Sequence, residues 1–216
     1  MHEYTITIGP QSNAMSEREK KELFIAFFVL SLAFAISFSG GRSGINLANF
    51  PFVFGISALA VGTAFIFHEF AHRNLARKYG CWAEFRMWNF GLMMALVFSL
   101  FGFVFAAPGA VVISGYITKE QNGKISAAGP ATNWIIGTLF LLGSYALLVM
   151  DIWAWWILAF VAFVNLFIGG FNLLPIGPLD GAKIFRWNPI NYMVLVFAIG
   201  GTLAAGYFLG PFRIFL

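Results

Sequence analysis

The stretch "AFIFHEFAHRNLARKYG", Ala64 to Gly80, decides how this chain folds. It opens as hydrocarbon that a lipid would accept, then presents His68, Glu69 and His72 within five residues. On a helix, His68 and His72 are i, i+4, so both imidazoles leave one face about one turn apart. That spacing suits two nitrogens on one Zn²⁺, with Glu69 beside them as a general base that does not ligate. Ionisable groups in hydrocarbon are costly unless paired or coordinated, so the cluster reads as functional. The bland alternative is three polar side chains hydrogen-bonded between helices.

Working outward, the composition gives the setting. The 216 residues are 60% hydrophobic and 10% charged, with a mean hydropathy of +0.81. An ordinary soluble domain is about a quarter charged, so a polytopic all-α protein in a lipid bilayer is expected. The net charge of +4 does not indicate nucleic acid, because the basic residues flank apolar segments rather than forming one patch. Cys81 stands alone, which excludes an intrachain disulfide.

A spanning helix needs about 20 apolar residues. The candidates are Leu23–Ser39, Phe50–Phe67 (running on to Lys78), Phe90–Ala107, Asn133–Met150, Ile152–Leu174 and Tyr192–Gly210. Residues 1–22 read as a polar tail, with a possible short strand at "EYTITI", and 23–216 as one transmembrane domain with its core at 50–184. Gly80, after Arg73, Arg77 and Lys78, marks a helix C-terminus. Asn122-Gly123 is a hairpin signal, and Pro130 suits the first turn of the next helix.

If all six segments cross, the 13 Lys and Arg divide eight against five. If 90–117 instead enters the membrane and returns, every one except Arg42 and Arg213 falls on the inner side. Five to six transmembrane helices are therefore expected, with a re-entrant segment and a short membrane-embedded β-strand or hairpin. The histidine pair then lies nearer the cytoplasmic side of a cell membrane.

A third metal ligand must come from elsewhere. His2 is in the tail, Asp151 lies across the membrane, and Glu84 and Glu120 read as wet interfacial groups. Asp180 in "GGFNLLPIGPLDGAKIF" remains, on the side of the histidines, where Pro175, Gly177 and Pro178 let the chain fold inward. Its alternative role is a helix N-cap before Gly181.

Taken together, HEFAH on an apolar helix, then "AAGPATN", then "FNLLPIGPLDG" resembles the site-2 protease family of intramembrane zinc metalloproteases. The resemblance implies one Zn²⁺ held by His68, His72 and Asp180, with Glu69 as the catalytic acid/base. Asn172 matches the family's polar residue in N-x-x-P-x(4)-D-G, and Gly129, Pro130 and Asn133 match its G-P-x-x-N helix start. The implied substrate is a membrane-anchored protein, cut at a peptide bond.

A substrate helix has each carbonyl occupied, so it must unwind before cleavage. A strand contact with Val111–Ile117, including Val112 and Ser114, would receive the exposed backbone, and Asn172 would hydrogen-bond that backbone or the oxyanion, its alternative being an interhelical hydrogen bond. Two rival readings are a catalytically silent relative that binds membrane proteins around a structural zinc, and a metal-ion carrier. Glu69 argues against the first, since a structural zinc needs no such carboxylate. The compactness of the cluster argues against the second.

Overall fold

The computed structural model describes residues 14–40, 46–104 and 107–215. The expected "EYTITI" strand, His2 and Arg42 lie outside the described residues. Among the described residues, eight α-helices and two strands follow in chain order, and five helical rods are long and apolar enough to cross a membrane.

Helix α1, Glu17–Phe38, begins at Ser16, whose hydroxyl accepts the Glu19 N–H at 3.1 Å. Glu17 and Glu19 in its first turn complement the dipole. The helix thus starts inside the expected polar tail: the cap sets the boundary, and hydropathy does not. The second rod, Phe50–Lys78, comprises α2 (Phe50–Val61), a π-helical segment (Gly62–Ile66) and α3 (Phe67–Lys78). It stops where expected, with Gly80 at φ +81° and the Cys81 N–H bonded back to the Ala76 carbonyl.

Next, β1 (Trp82–Met87) pairs antiparallel with β2 (Gly109–Ser114), from Trp82 opposite Ser114 to Met87 opposite Gly109. The segment between them goes out and comes back. Its helix α4, Asn89–Ser99, has 11 residues and rises about 16 Å, far short of a bilayer's ~30 Å core. The Trp88 N–H meets the Pro108 carbonyl at 2.8 Å, closing the base of the loop. A Cβ at Gly91 would lie 1.9 Å from the Ala107 carbonyl oxygen, so only glycine allows the two legs to touch. The expected re-entrant segment is present, but its return strand pairs with β1, which hydropathy did not reveal.

Helix α5, Lys119–Val149, overturns two expectations. Asn122-Gly123 lies in its opening turns rather than at a hairpin, and Pro130 lies deep in the helix, so G-P-x-x-N is not a helix start. The capping box between Thr118 and Gln121 starts the helix earlier than the turn signal suggested. Gly123 serves packing: the Trp187 side chain covers it at 2.3 Å from where a Cβ would be.

Helix α6, Trp155–Asn172, packs along α5, with Leu166 against Gly137 and Gly169 against Asn133. Asp151, at φ +57°, turns the chain between them. Helix α7, Asp180–Trp187, and α8, Pro189–Phe208, complete the bundle; Asn188 caps α8 through the Ile190 and Asn191 N–H groups.

The N-terminal end of α1, the end of α3, the sheet, the start of α5 and α7 gather at one end of the bundle. There Glu84, expected in a wet loop, is buried on β1. Burial favours its neutral form, but hydrogen bonds from Arg86 and Ser16 outweigh this and hold its carboxyl below the usual range. Glu120 is exposed as expected, in α5's first turn, paired with Lys124.

Candidate metal centre

His68 and His72 face the same way from α3, and both are buried. Their Nε2 atoms are 3.0 Å apart. Asp180, the first residue of α7, brings Oδ2 to 3.3 Å from His68 Nε2 and 3.1 Å from His72 Nε2. The structure therefore brings together a chain-distant carboxylate and the two imidazoles. Asp180 does not cap α7: Leu179 holds that position. Its Oδ1 lies 3.8 Å from Lys183 Nζ. Gly181 is needed beside it, because a Cβ there would lie 2.1 Å from the Leu173 carbonyl oxygen.

The donor set itself tests whether a metal fits. His72 Nδ1 lies 2.7 Å from the Ile125 carbonyl oxygen, which can only accept. His68 Nδ1 meets Asn133 Oδ1, whose Nδ2 is committed to the Ala64 carbonyl at 2.8 Å. Both rings therefore carry their proton on Nδ1, and both Nε2 lone pairs point at Asp180. Three buried acceptors converge with no proton between them, an arrangement that repels itself unless a cation sits there. A tetrahedral Zn²⁺ with bonds near 2.0–2.1 Å spaces its ligands about 3.3 Å apart, close to the observed triangle. Among the described residues, these three form the one group of His, Cys, Asp or Glu whose donor atoms lie within 4.8 Å of one another.

Glu69 is buried beside this triangle, and its Oε2 has no hydrogen-bond partner among the described residues. It lines a cleft of about 370 Å³ together with His68, His72, Asp180, β2 and Asn172. The cleft meets a particular edge of the sheet. On β1, the Phe85 and Met87 N–H groups turn away from β2 and donate to Glu19 Oε1 at 3.1 Å and Glu22 Oε2 at 3.0 Å. In this register Val111 and Ile113 of β2 likewise turn their backbone groups outward, on the other side, where they line the cleft. Val112 also lines it, with its backbone facing β1. Ser114 pairs with Trp82 and is absent from the cleft wall. Asn172 lines it too, its Nδ2 donating to the Ile168 carbonyl of its own helix at 3.0 Å.

Reading the sequence alone missed the surroundings of the ligands. Asn165, wholly buried within "FVAFVNLFIGG", bonds Asn133 and Thr63; a lone amide in an apolar helix was the available signal. Gly129 is required because a Cβ would stand 2.5 Å from His72 Nε2 and 2.6 Å from His68 Nε2. The Ile125 carbonyl carries no signature in sequence.

Fold and site together define a polytopic membrane protein with a buried His68–His72–Asp180 group whose donor atoms could hold a metal ion. Comparison with known proteins is consistent with this. A Methanocaldococcus jannaschii protein provisionally named a zinc metalloprotease, MJ0611, is 44% identical over 199 residues, covering 90% of this chain and 94% of that one. Zinc metalloprotease MJ0392 of the same organism is 27% identical over 143 residues, 66% of this chain. Rip3 of Mycobacterium tuberculosis, also provisionally named a zinc metalloprotease, is 34% identical over 125 residues, 55% of this chain. The chain spans only 37% and 27% of those last two proteins. No protein-family model and no solved structure matches the chain. The chain belongs to the zinc metalloprotease family.

Proposed function

We propose that this protein is an intramembrane endopeptidase of the site-2 protease type, cutting membrane-anchored proteins with one zinc ion per chain. The observation that carries this reading is Glu69, a buried carboxylate with an unpartnered oxygen, lining the same cleft as His68, His72 and Asp180. His68, His72 and Asp180 would hold the zinc. When bound, zinc supplies a Lewis acid that lowers a water's pKa towards about 7 and polarises a carbonyl.

The protein's own residues do the rest. Glu69 takes the proton of the attacking water and returns it to the leaving amine. The outward backbone groups of Ile113 and the Val111 carbonyl accept an unwound substrate as an added strand, beside Val112, while the Val111 N–H faces Glu69. Asn172 rotates from its own helix to hydrogen-bond the substrate backbone. The other edge of the sheet is closed by Glu19 and Glu22, so an extended peptide has one edge to join, the one facing the metal. The ligand end of the bundle holds nearly all the basic residues, which favours a cytoplasmic-side site in a cell membrane.

The test is purified protein in bilayers with a membrane-anchored substrate. Glu69→Gln should retain about one zinc per chain and lose cleavage by at least ~10³-fold. Cleavage at the wild-type rate by Glu69→Gln would refute the role given to Glu69. Absence of cleavage by wild-type protein across a membrane proteome would favour the silent binding relative.

A further inference from the structure

A line of polar side chains runs from half-buried Thr63 in the π-helical segment through buried Asn165 and Asn133 to His68, and each member has its donors and acceptors assigned. Thr63 hydroxyl donates to the Ala60 carbonyl at 2.9 Å. Its oxygen is thereby left to accept from Asn165 Nδ2, at 2.9 Å. The second Asn165 N–H goes to the Val161 carbonyl at 2.8 Å. With both its hydrogens taken, Asn165 must point Oδ1 at Asn133, whose Nδ2 approaches to 3.4 Å. The other Asn133 N–H goes to the Ala64 carbonyl. Asn133 can therefore offer His68 only an acceptor.

From these contacts we propose that Asn165 and Thr63 are positioning residues of the metal centre. Acting through Asn133, they fix the His68 ring in the tautomer and orientation that present Nε2 as a lone pair. The line starts from helix carbonyls, which cannot reverse, so its direction is set at one end and read out at the metal. Asn133 and Asn165 are wholly buried, so no water replaces a lost link. The side chains come from four consecutive packing partners: the π segment, α6, α5 and α3. His72 has a separate anchor in the Ile125 carbonyl, so the effect falls on one ligand of three.

The proposal rests on the zinc reading of the site, and the experiment separates the two. Full-length protein in detergent is titrated with zinc against a fluorescent chelator, and the metal-free protein is melted in parallel. Wild type should bind one zinc. Asn165→Leu should raise the zinc Kd by roughly 10- to 100-fold, as loss of the partners behind a ligand does elsewhere. Thr63→Val, which keeps shape and removes the hydroxyl, should raise it several-fold, and Thr63→Ser should restore it. Cobalt(II) loaded in place of zinc should give altered ligand-field bands in Asn165→Leu and Thr63→Val alone.

If the variants lower the melting temperature of the metal-free protein while Kd and cobalt bands stay at wild-type values, the residues only pack the bundle and the proposal is overturned. Should Asn165→Leu fail to fold, Thr63→Val against Thr63→Ser decides by the same criteria. If wild type binds no zinc, the site reading falls, and this proposal falls with it.

Discussion

Two buried polar clusters lie at the same end of the bundle, and they differ in charge balance. One joins Glu19 to Arg73, with Arg73 Nε 2.8 Å from Glu19 Oε1 and the Phe85 N–H on the same carboxylate oxygen. Glu84 with Arg86, and Glu22 with Arg18 and the Met87 N–H, extend it. Every acid there has a cation or an N–H within reach, so the cluster satisfies itself. The other joins His68, His72 and Asp180, and there three acceptor atoms meet with no donor between them, the nearest cation being Lys183, 3.8 Å from the other Asp180 oxygen. The first holds α1 to the sheet and leaves one sheet edge available. The second is incomplete until a cation arrives. Burial of charge is common to both, and what differs is that the second leaves its facing acceptor atoms without a donor.

The largest effect tests that contrast directly. Asp180→Ala should abolish stoichiometric zinc binding, measured by metal analysis, and reduce cleavage at least ~10³-fold, because two neutral imidazoles alone hold zinc weakly. Chelation of wild-type zinc should have the same effect on cleavage and lower the melting temperature, with both restored by added zinc.

Next in size, Glu19→Ala should destabilise the protein by about 3–5 kcal/mol in denaturant titrations, since it strands a buried guanidinium. Its zinc Kd should stay within about twofold of wild type, as the metal cluster shares no ligand with it. The pair Glu19→Leu with Arg73→Met should recover most of that stability, as apolar replacement of buried ion pairs often does. No apolar replacement at His68 and Asp180 should recover zinc. If Glu19→Ala instead releases zinc, the two clusters are one unit and the comparison fails.

Gly129→Ala should weaken zinc binding by about 10- to 100-fold in the chelator titration, because its Cβ would push on both imidazoles. The smallest effect belongs to Ser16→Ala, which removes the α1 cap and a bond to Glu84. It should lower stability by about 1–2 kcal/mol and leave zinc affinity unchanged.

These clusters also show where sequence reading works. HEFAH needs only helical periodicity to set two imidazoles on one face, so the pair was legible from five letters. Asp180 was reachable by asking which acid returns to that side. By contrast, Glu84 read as a wet interfacial group and Glu19 and Glu22 only as part of a polar tail, because nothing local reveals that α1 and β1 will pack together. Asn122-Gly123 misled for a related reason: the dipeptide favours a tight turn, but Thr118 and Gln121 had already capped a helix around it. Segment ends drifted likewise, since hydropathy marks lipid contact while Ser16, Thr118 and Asn188 mark where hydrogen bonding begins.

By itself, the chain's order of residues determined the membrane setting, the out-and-back segment and the three residues that meet in one buried group, which follow from helical periodicity, from the distribution of Lys and Arg and from the cost of charge in lipid. Tertiary structure alone decided that β1 pairs with β2, which edge of the sheet stays open, and which amide and carbonyl hold each imidazole. Those facts depend on contacts between groups tens of residues apart, where direction and distance, rather than residue type, fix each proton's place.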